Sequence, residues 1–180
     1  MSNAGNSNLF VGAGSGAANS GGFNTFVGTN SGRSNTTGQQ NAFFGTESGL
    51  SNVTGSRNAF FGVSSGNFNT ADNNAFFGHN AGFNNTTGSG NSVFGYTAGY
   101  SNTTGGFNAF FGAVAGGNNT TGSENSFFGD GAGAFNVSGS NNTFVGRQAG
   151  LNNTASSNAF FGHVAGKTNT TGTKIGRAHV

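Results

Sequence analysis

Asn41-Ala-Phe-Phe-Gly45 reads NAFFG, two adjacent phenylalanines in a chain otherwise dominated by glycine, asparagine, serine and threonine. In a strand, successive side chains point to opposite faces, so one ring should enter a core and the other should leave it. The same question recurs along the chain. The pentapeptide returns as NLFVG at Asn8, NTFVG at Asn24, NAFFG at Asn58 and Asn74, NSVFG at Asn91, NAFFG at Asn108, NSFFG at Asn125, NTFVG at Asn142 and NAFFG at Asn158. Successive starts lie 16, 17, 17, 16, 17, 17, 17, 17 and 16 residues apart. Such a period marks a repeat array and separates the chain from a disordered Gly/Asn-rich tract.

Counting columns from that asparagine, the unit reads N-[AST]-F-[FV]-G-x-x-[AS]-G-x-x-N-T-T-G-x-x. Column nine is Gly from Gly16 to Gly166, column eight is Ser or Ala from Ser15 to Ala165, and column twelve is Asn from Asn19 to Asn169. Columns six and seven hold Ala13, Thr29, Val63, His79, Tyr96, Asp130 and Arg147 among others, with no shared chemistry, so they are free to face water. About seventeen residues are too few for a helical hairpin repeat, and no apolar spacing of three and four is present. Glycine punctuation with Phe, Val and Thr favours strands and turns instead. Each unit is therefore expected to form one coil of an all-β β-solenoid, or β-roll, of about ten coils. A first strand falls on columns one to four, a turn on columns five to nine, and a second strand near columns eleven to fourteen. Glycines at columns five, nine and fifteen would supply positive φ or close backbone approach. At a strand spacing of ~4.8 Å, ten coils make a rod about 48 Å long.

Two asparagine columns fit that stacking, because amides repeated at strand spacing can bond to the coils above and below. One contains Asn41, Asn58, Asn74, Asn91 and Asn108; the other contains Asn52, Asn69, Asn85, Asn102 and Asn119. The phenylalanine columns run in parallel. Column three includes Phe43, Phe60, Phe76, Phe110, Phe127 and Phe160, with Val93 as its one non-aromatic member; column four includes Phe44, Phe61, Phe77, Phe111, Phe128 and Phe161. Either one column fills the lumen while the other leaves a stripe for a second or third identical chain to cover, or the strand bends at Gly45 and its equivalents so that both enter a wider lumen. The stripe would exceed the few hundred Å² that soluble monomers usually expose.

The repeat N-x-F-x-G-x-x-A-G-x-x-N-T-T-G, over Asn8 to Gly172, resembles repeats of bacterial surface and tail-fibre-like proteins, often found upstream of an endosialidase-type chaperone domain. It is more loosely similar to the head repeats of trimeric autotransporter adhesins, although the unit here is longer and its strand uses Phe where that family uses smaller aliphatics. The resemblance implies a trimeric, extracellular, left-handed β-roll acting as a shaft or adhesive head at a cell or virion surface, with a cell-surface glycan or receptor as a further partner. Residues 1–174 are read as one repeat domain of a longer protein. Ile175-Gly-Arg-Ala-His-Val180 breaks the repeat and looks like a translated sequencing adapter.

Composition narrows the chemistry. Pro, Cys and Trp are absent, so no disulfide framework, zinc knuckle or redox pair can form. Six basic residues face four acidic ones and are scattered, which gives no nucleic-acid footprint. No apolar run is long enough to be read as a spanning helix, and Met1-Ser-Asn-Ala lacks the features of a signal peptide. Arg33, Glu47, Asp72, His79, Glu124, Asp130, Arg147 and His163 break the repeat without converging; His79 and His163 share a column but lie five coils, ~24 Å, apart. Four carboxylates cannot supply a calcium-binding roll, and GAGSG at Gly12 to Gly16 lacks the ending of a phosphate loop. No catalytic, metal or cofactor site is therefore expected, and the N-x-T triplets are a by-product of the repeat.

Two binding alternatives remain. Thr36, Thr70, Thr86, Thr103, Thr120, Thr154 and Thr170 make a ladder of the kind ice-binding solenoids present, though the motif is TT rather than TxT and Val53 and Val137 interrupt it. Tyr96, Tyr100 and Phe83 place aromatics at variable turn columns, where rings beside amides suit a glycan.

Overall fold

The computed structural model of the chain describes residues 2–3 and 6–172, so the expectation for residues 175–180 lies outside the described residues. It is an all-β solenoid built on one 11-stranded sheet, with strands in sequence order. The strands are β1 (Ser2–Asn3), β2 (Asn8–Val11), β3 (Thr25–Val27), β4 (Ala42–Phe44), β5 (Ala59–Phe61), β6 (Ala75–Phe77), β7 (Ser92–Phe94), β8 (Ala109–Phe111), β9 (Ser126–Phe128), β10 (Thr143–Val145) and β11 (Ala159–Phe161). β2 to β11 pair in parallel, like residue on like: Phe43 opposes Phe60, and Phe44 opposes Phe61. β1 pairs antiparallel with β2.

Backbone bonding extends round the whole coil. In the coil that starts at Asn91, the amides of Ser92, Gly99, Ser101 and Thr103 donate to the next coil, and those of Gly95, Thr97 and Phe107 donate to the preceding one, at 2.8–3.0 Å. Backbone polar groups must be paired when buried, and stacking identical turns achieves this without long strands.

The second strand expected near columns eleven to fourteen is absent. The column-twelve amide turns back onto its own coil, as where Asn102 Nδ2 donates to the Gly105 carbonyl at 2.9 Å, so this segment is a side-chain-closed turn. Backbone rungs to the next coil persist there at columns eleven and thirteen, such as Ser101 N–H to the Gly117 carbonyl and Thr86 N–H to the Thr103 carbonyl, both at 2.9 Å, but they do not continue into a strand.

The same turn absorbs the change in period. In 17-residue coils the column-twelve Nδ2 reaches the carbonyl three residues on, as from Asn52 to Gly55. In the 16-residue coils one threonine is missing and the bond falls two residues on, from Asn19 to Gly21, Asn69 to Ala71 and Asn153 to Ala155. Strand register is untouched, since Phe60 still opposes Phe76 across a short coil.

The lumen is filled by column three. Phe26, Phe43, Phe60, Phe76, Phe110, Phe127, Phe144 and Phe160 are at most 2% exposed, and from coil five onward the small column-eight residues Ala81, Ala98, Ala115, Ala132, Ala149 and Ala165 pack with them. In the first four coils column eight is serine, whose Oγ donates to the phenylalanine carbonyl of the next coil, from Ser31 to Phe43 at 3.2 Å and from Ser65 to Phe76 at 3.0 Å. Column nine explains its invariant glycine. Gly49 has φ +59°, and a Cβ there would lie 2.5 Å from the Phe43 ring.

The bend that would carry both phenylalanines inside does not occur. Gly45 does take φ +134°, but it lies after column four, and Phe44 and its equivalents stay on the outer face, half-buried or exposed.

Candidate functional site

Strand alternation places columns two and four on one outward face. Phe44, Phe61, Phe77, Phe94, Phe111 and Phe128 form an unbroken stack there, with ring centroids 4.6–5.0 Å apart and interplanar angles of 9° or less. Val27 and Val145 flank the stack and Phe161 lies beyond. Stacking hides the ring faces but leaves the edges wet: Phe61 is 36% exposed and Phe128 40%. The inner stack runs at 4.7–5.1 Å and is broken only at Val93. At that break a Cβ on Gly99 would sit 3.2 Å from Phe110 and 3.3 Å from Val93, looser than the 2.5 Å found at Gly49.

Both asparagine columns form continuous spines. In column one, the Oδ1 of each residue accepts the backbone N–H of its counterpart in the next coil, at 2.7–3.0 Å through Asn41, Asn58, Asn74, Asn91 and Asn108. In column twelve the side chains bond to one another: Asn102 Nδ2 donates to Asn85 Oδ1 at 2.7 Å, and Asn119 Nδ2 to Asn102 Oδ1 at 2.8 Å. Asn52, Asn69 and Asn85 continue that chain. Both protons of each such Nδ2 are used, and Asn35, Asn52, Asn85, Asn102, Asn119 and Asn136 are buried. The N-x-T and N-x-S triplets that begin at these asparagines are thus closed to a glycosylating enzyme in the folded rod.

The threonine ladder is partly committed to the same network. Thr86 Oγ1 donates to the Thr103 carbonyl at 2.9 Å and Thr103 Oγ1 to the Thr120 carbonyl at 3.0 Å, so these hydroxyl protons serve the rod's own backbone. The row borders a shallow groove of about 620 Å³ lined by Phe68, Thr70, Thr86, Ser101, Thr103 and Thr120.

The three aromatics considered for glycan contact do not form one site. Phe83 stacks on Tyr100 at 5.2 Å, with Phe68 set edge-on to Phe83 at 5.3 Å. Tyr96 stacks on His79 at 5.6 Å, on another column. The charged residues are dispersed: Arg57 pairs with Asp72 at 2.7 Å, and Arg147 lies 3.4 Å from Asp130 and 3.4 Å from His163 Nε2, all on the surface. No group of three potential metal ligands occurs among the described residues, and no helix among them is long and apolar enough to cross a membrane.

One requirement escaped the sequence. Column seven and the residue that precedes each repeat asparagine take left-handed φ, including non-glycine residues such as Glu47 (+59°), Thr97 (+49°), Val114 (+57°) and Phe107 (+57°). Their varied side chains gave no hint, since the constraint is on the backbone and most occupants meet it at a cost.

Fold and surface together define a parallel β-solenoid with a phenylalanine core, amide spines and an outward-facing phenylalanine stack. No family model, curated protein or solved structure matches the chain.

Proposed function

We propose that this chain is a structural segment of an extracellular fibre or adhesin, a non-enzymatic rod that self-associates and holds a distal tip away from a cell or particle surface. The observation that carries the reading is the outer phenylalanine stack, an apolar stripe along a rod whose repeated asparagines are hydrogen-bonded within it. Chains that share a period can cover such a stripe in register along its whole length. The repeat resemblance supports the extracellular setting and implies a trimer. A modular spacer should lengthen by whole coils. Duplicating residues 41–107, four coils, should lengthen the particle by ~19 Å at unchanged width in electron micrographs. A wider or collapsed particle would overturn the spacer role.

The ice-binding reading has the threonine row in its favour, with rungs regular over Thr86, Thr103 and Thr120. Absence of thermal hysteresis in the purified chain would retire it.

A further inference from the structure

The outward face is graded in volume, and the grading is reciprocal. Where column four is Phe, column two is Ala or Ser: Ala42 with Phe44, Ala59 with Phe61, Ala75 with Phe77, Ser92 with Phe94, Ala109 with Phe111, Ser126 with Phe128 and Ala159 with Phe161. Where column four shrinks to Val, column two grows: Leu9 with Val11, Thr25 with Val27 and Thr143 with Val145. All ten coils obey the exchange. The parallel in-register pairing sets each column in line with itself, so the two side chains of every pair are same-face neighbours along one strand.

Local crowding explains half of this, because a ring beside column two leaves little room for bulk there. It does not explain why bulk returns when the ring is lost. A face bathed in water has no need of constant volume, whereas a packed interface does, since both voids and overpacking are costly. We infer that columns two and four form a face of level profile that packs against the same face of a second copy of this chain, laid face to face along the rod. This deepens the proposed self-associating rod and rests on it.

The size is adequate. Columns two and four lie ~7 Å apart and each covers a similar width, so the face is ~13 Å wide and over ten coils ~48 Å long; each chain offers roughly 600 Å² and a pair buries about 1,200 Å², the lower bound of stable specific interfaces. The centre of the patch is aromatic and uncharged, as in the buried core of such interfaces. A flat face suits two chains. Three chains around an axis would each need two contact faces, and the phenylalanine stack supplies one.

Sedimentation equilibrium of the full chain and its variants tests this, with circular dichroism confirming the fold. Phe77→Val should weaken association by about tenfold, and adding Ala75→Thr should restore it to within about threefold, reproducing the natural Thr/Val pair. Ala75→Leu should also weaken it about tenfold, although it adds apolar surface. Stronger association in Ala75→Leu, or no rescue in the double variant, would show mere stickiness and overturn the level-face pairing. A wild-type chain that associates regardless of these variants would overturn the face while leaving a multichain rod standing, as would a trimeric mass. A wild-type monomer at every concentration would overturn both.

Discussion

Phe60 and Phe61 are chemically identical neighbours that the fold makes opposite, and exchanging each for serine measures that difference. Phe60 is fully buried, stacked 4.7 Å from Phe43 and 4.9 Å from Phe76, with Gly66 lying against its ring. Removing its ring forfeits on the order of 150 Å² of burial, about 4 kcal/mol at 25 cal/mol per Å². Loss of stacking and a hydroxyl left in a dry lumen bring the total to about 5 kcal/mol. At a few degrees per kcal/mol for a chain of this size, Tm should fall by roughly 10–20 °C. Phe61, already 36% exposed, keeps water at its edge, and its removal should cost about 2 kcal/mol within one chain. Its larger effect should be on association. Thermal melts at two protein concentrations, paired with light scattering, separate the terms, because only association makes Tm depend on concentration. Equal losses of Tm with unchanged mass in both variants would refute the division of the two columns between lumen and surface.

Three further outcomes follow from the ladders and turns. Asn102→Ala strips donors from Asn85 Oδ1 and the Gly105 carbonyl and an acceptor from Asn119, and should destabilise by about 2–4 kcal/mol in thermal melts, whereas Asn118→Ala beside the spine should be near neutral. Val93→Phe should complete the inner stack and raise stability by about 1–2 kcal/mol; a lower Tm would mean that the looser space beside Gly99 cannot take a ring. Val114 holds φ +57° with a β-branched side chain, so Val114→Asn, the residue at the same column in Asn30 and Asn80, should add about 1 kcal/mol, and no gain would argue against strain there.

How far the sequence disclosed this architecture depended on whether a column had one job or several. Column nine must be glycine because both its φ and the facing ring demand it, so its invariance could be read directly. Columns one and twelve had to be asparagine because one amide serves its own turn and a neighbouring coil together, and their roles were legible too. The expected second strand rests on the paired threonines of Asn-Thr-Thr-Gly, which favour strands, whereas the Asn102 side chain closes the segment into a turn that their propensity does not reveal. Which phenylalanine faced inward was undecidable from alternation alone, since either phase satisfies it; the turn after Gly45, which brings Gly49 under Phe43, fixes the phase. The reciprocal pairs at columns two and four were present in the letters throughout. They acquire meaning only once both columns are known to share the outer face.

The absolute mass of the chain in solution, by light scattering after size exclusion, tests the central claim most directly. A phenylalanine face covered by a second copy predicts a mass twice the 17.8 kDa of one chain. A particle that stays at 17.8 kDa as concentration rises would contradict it.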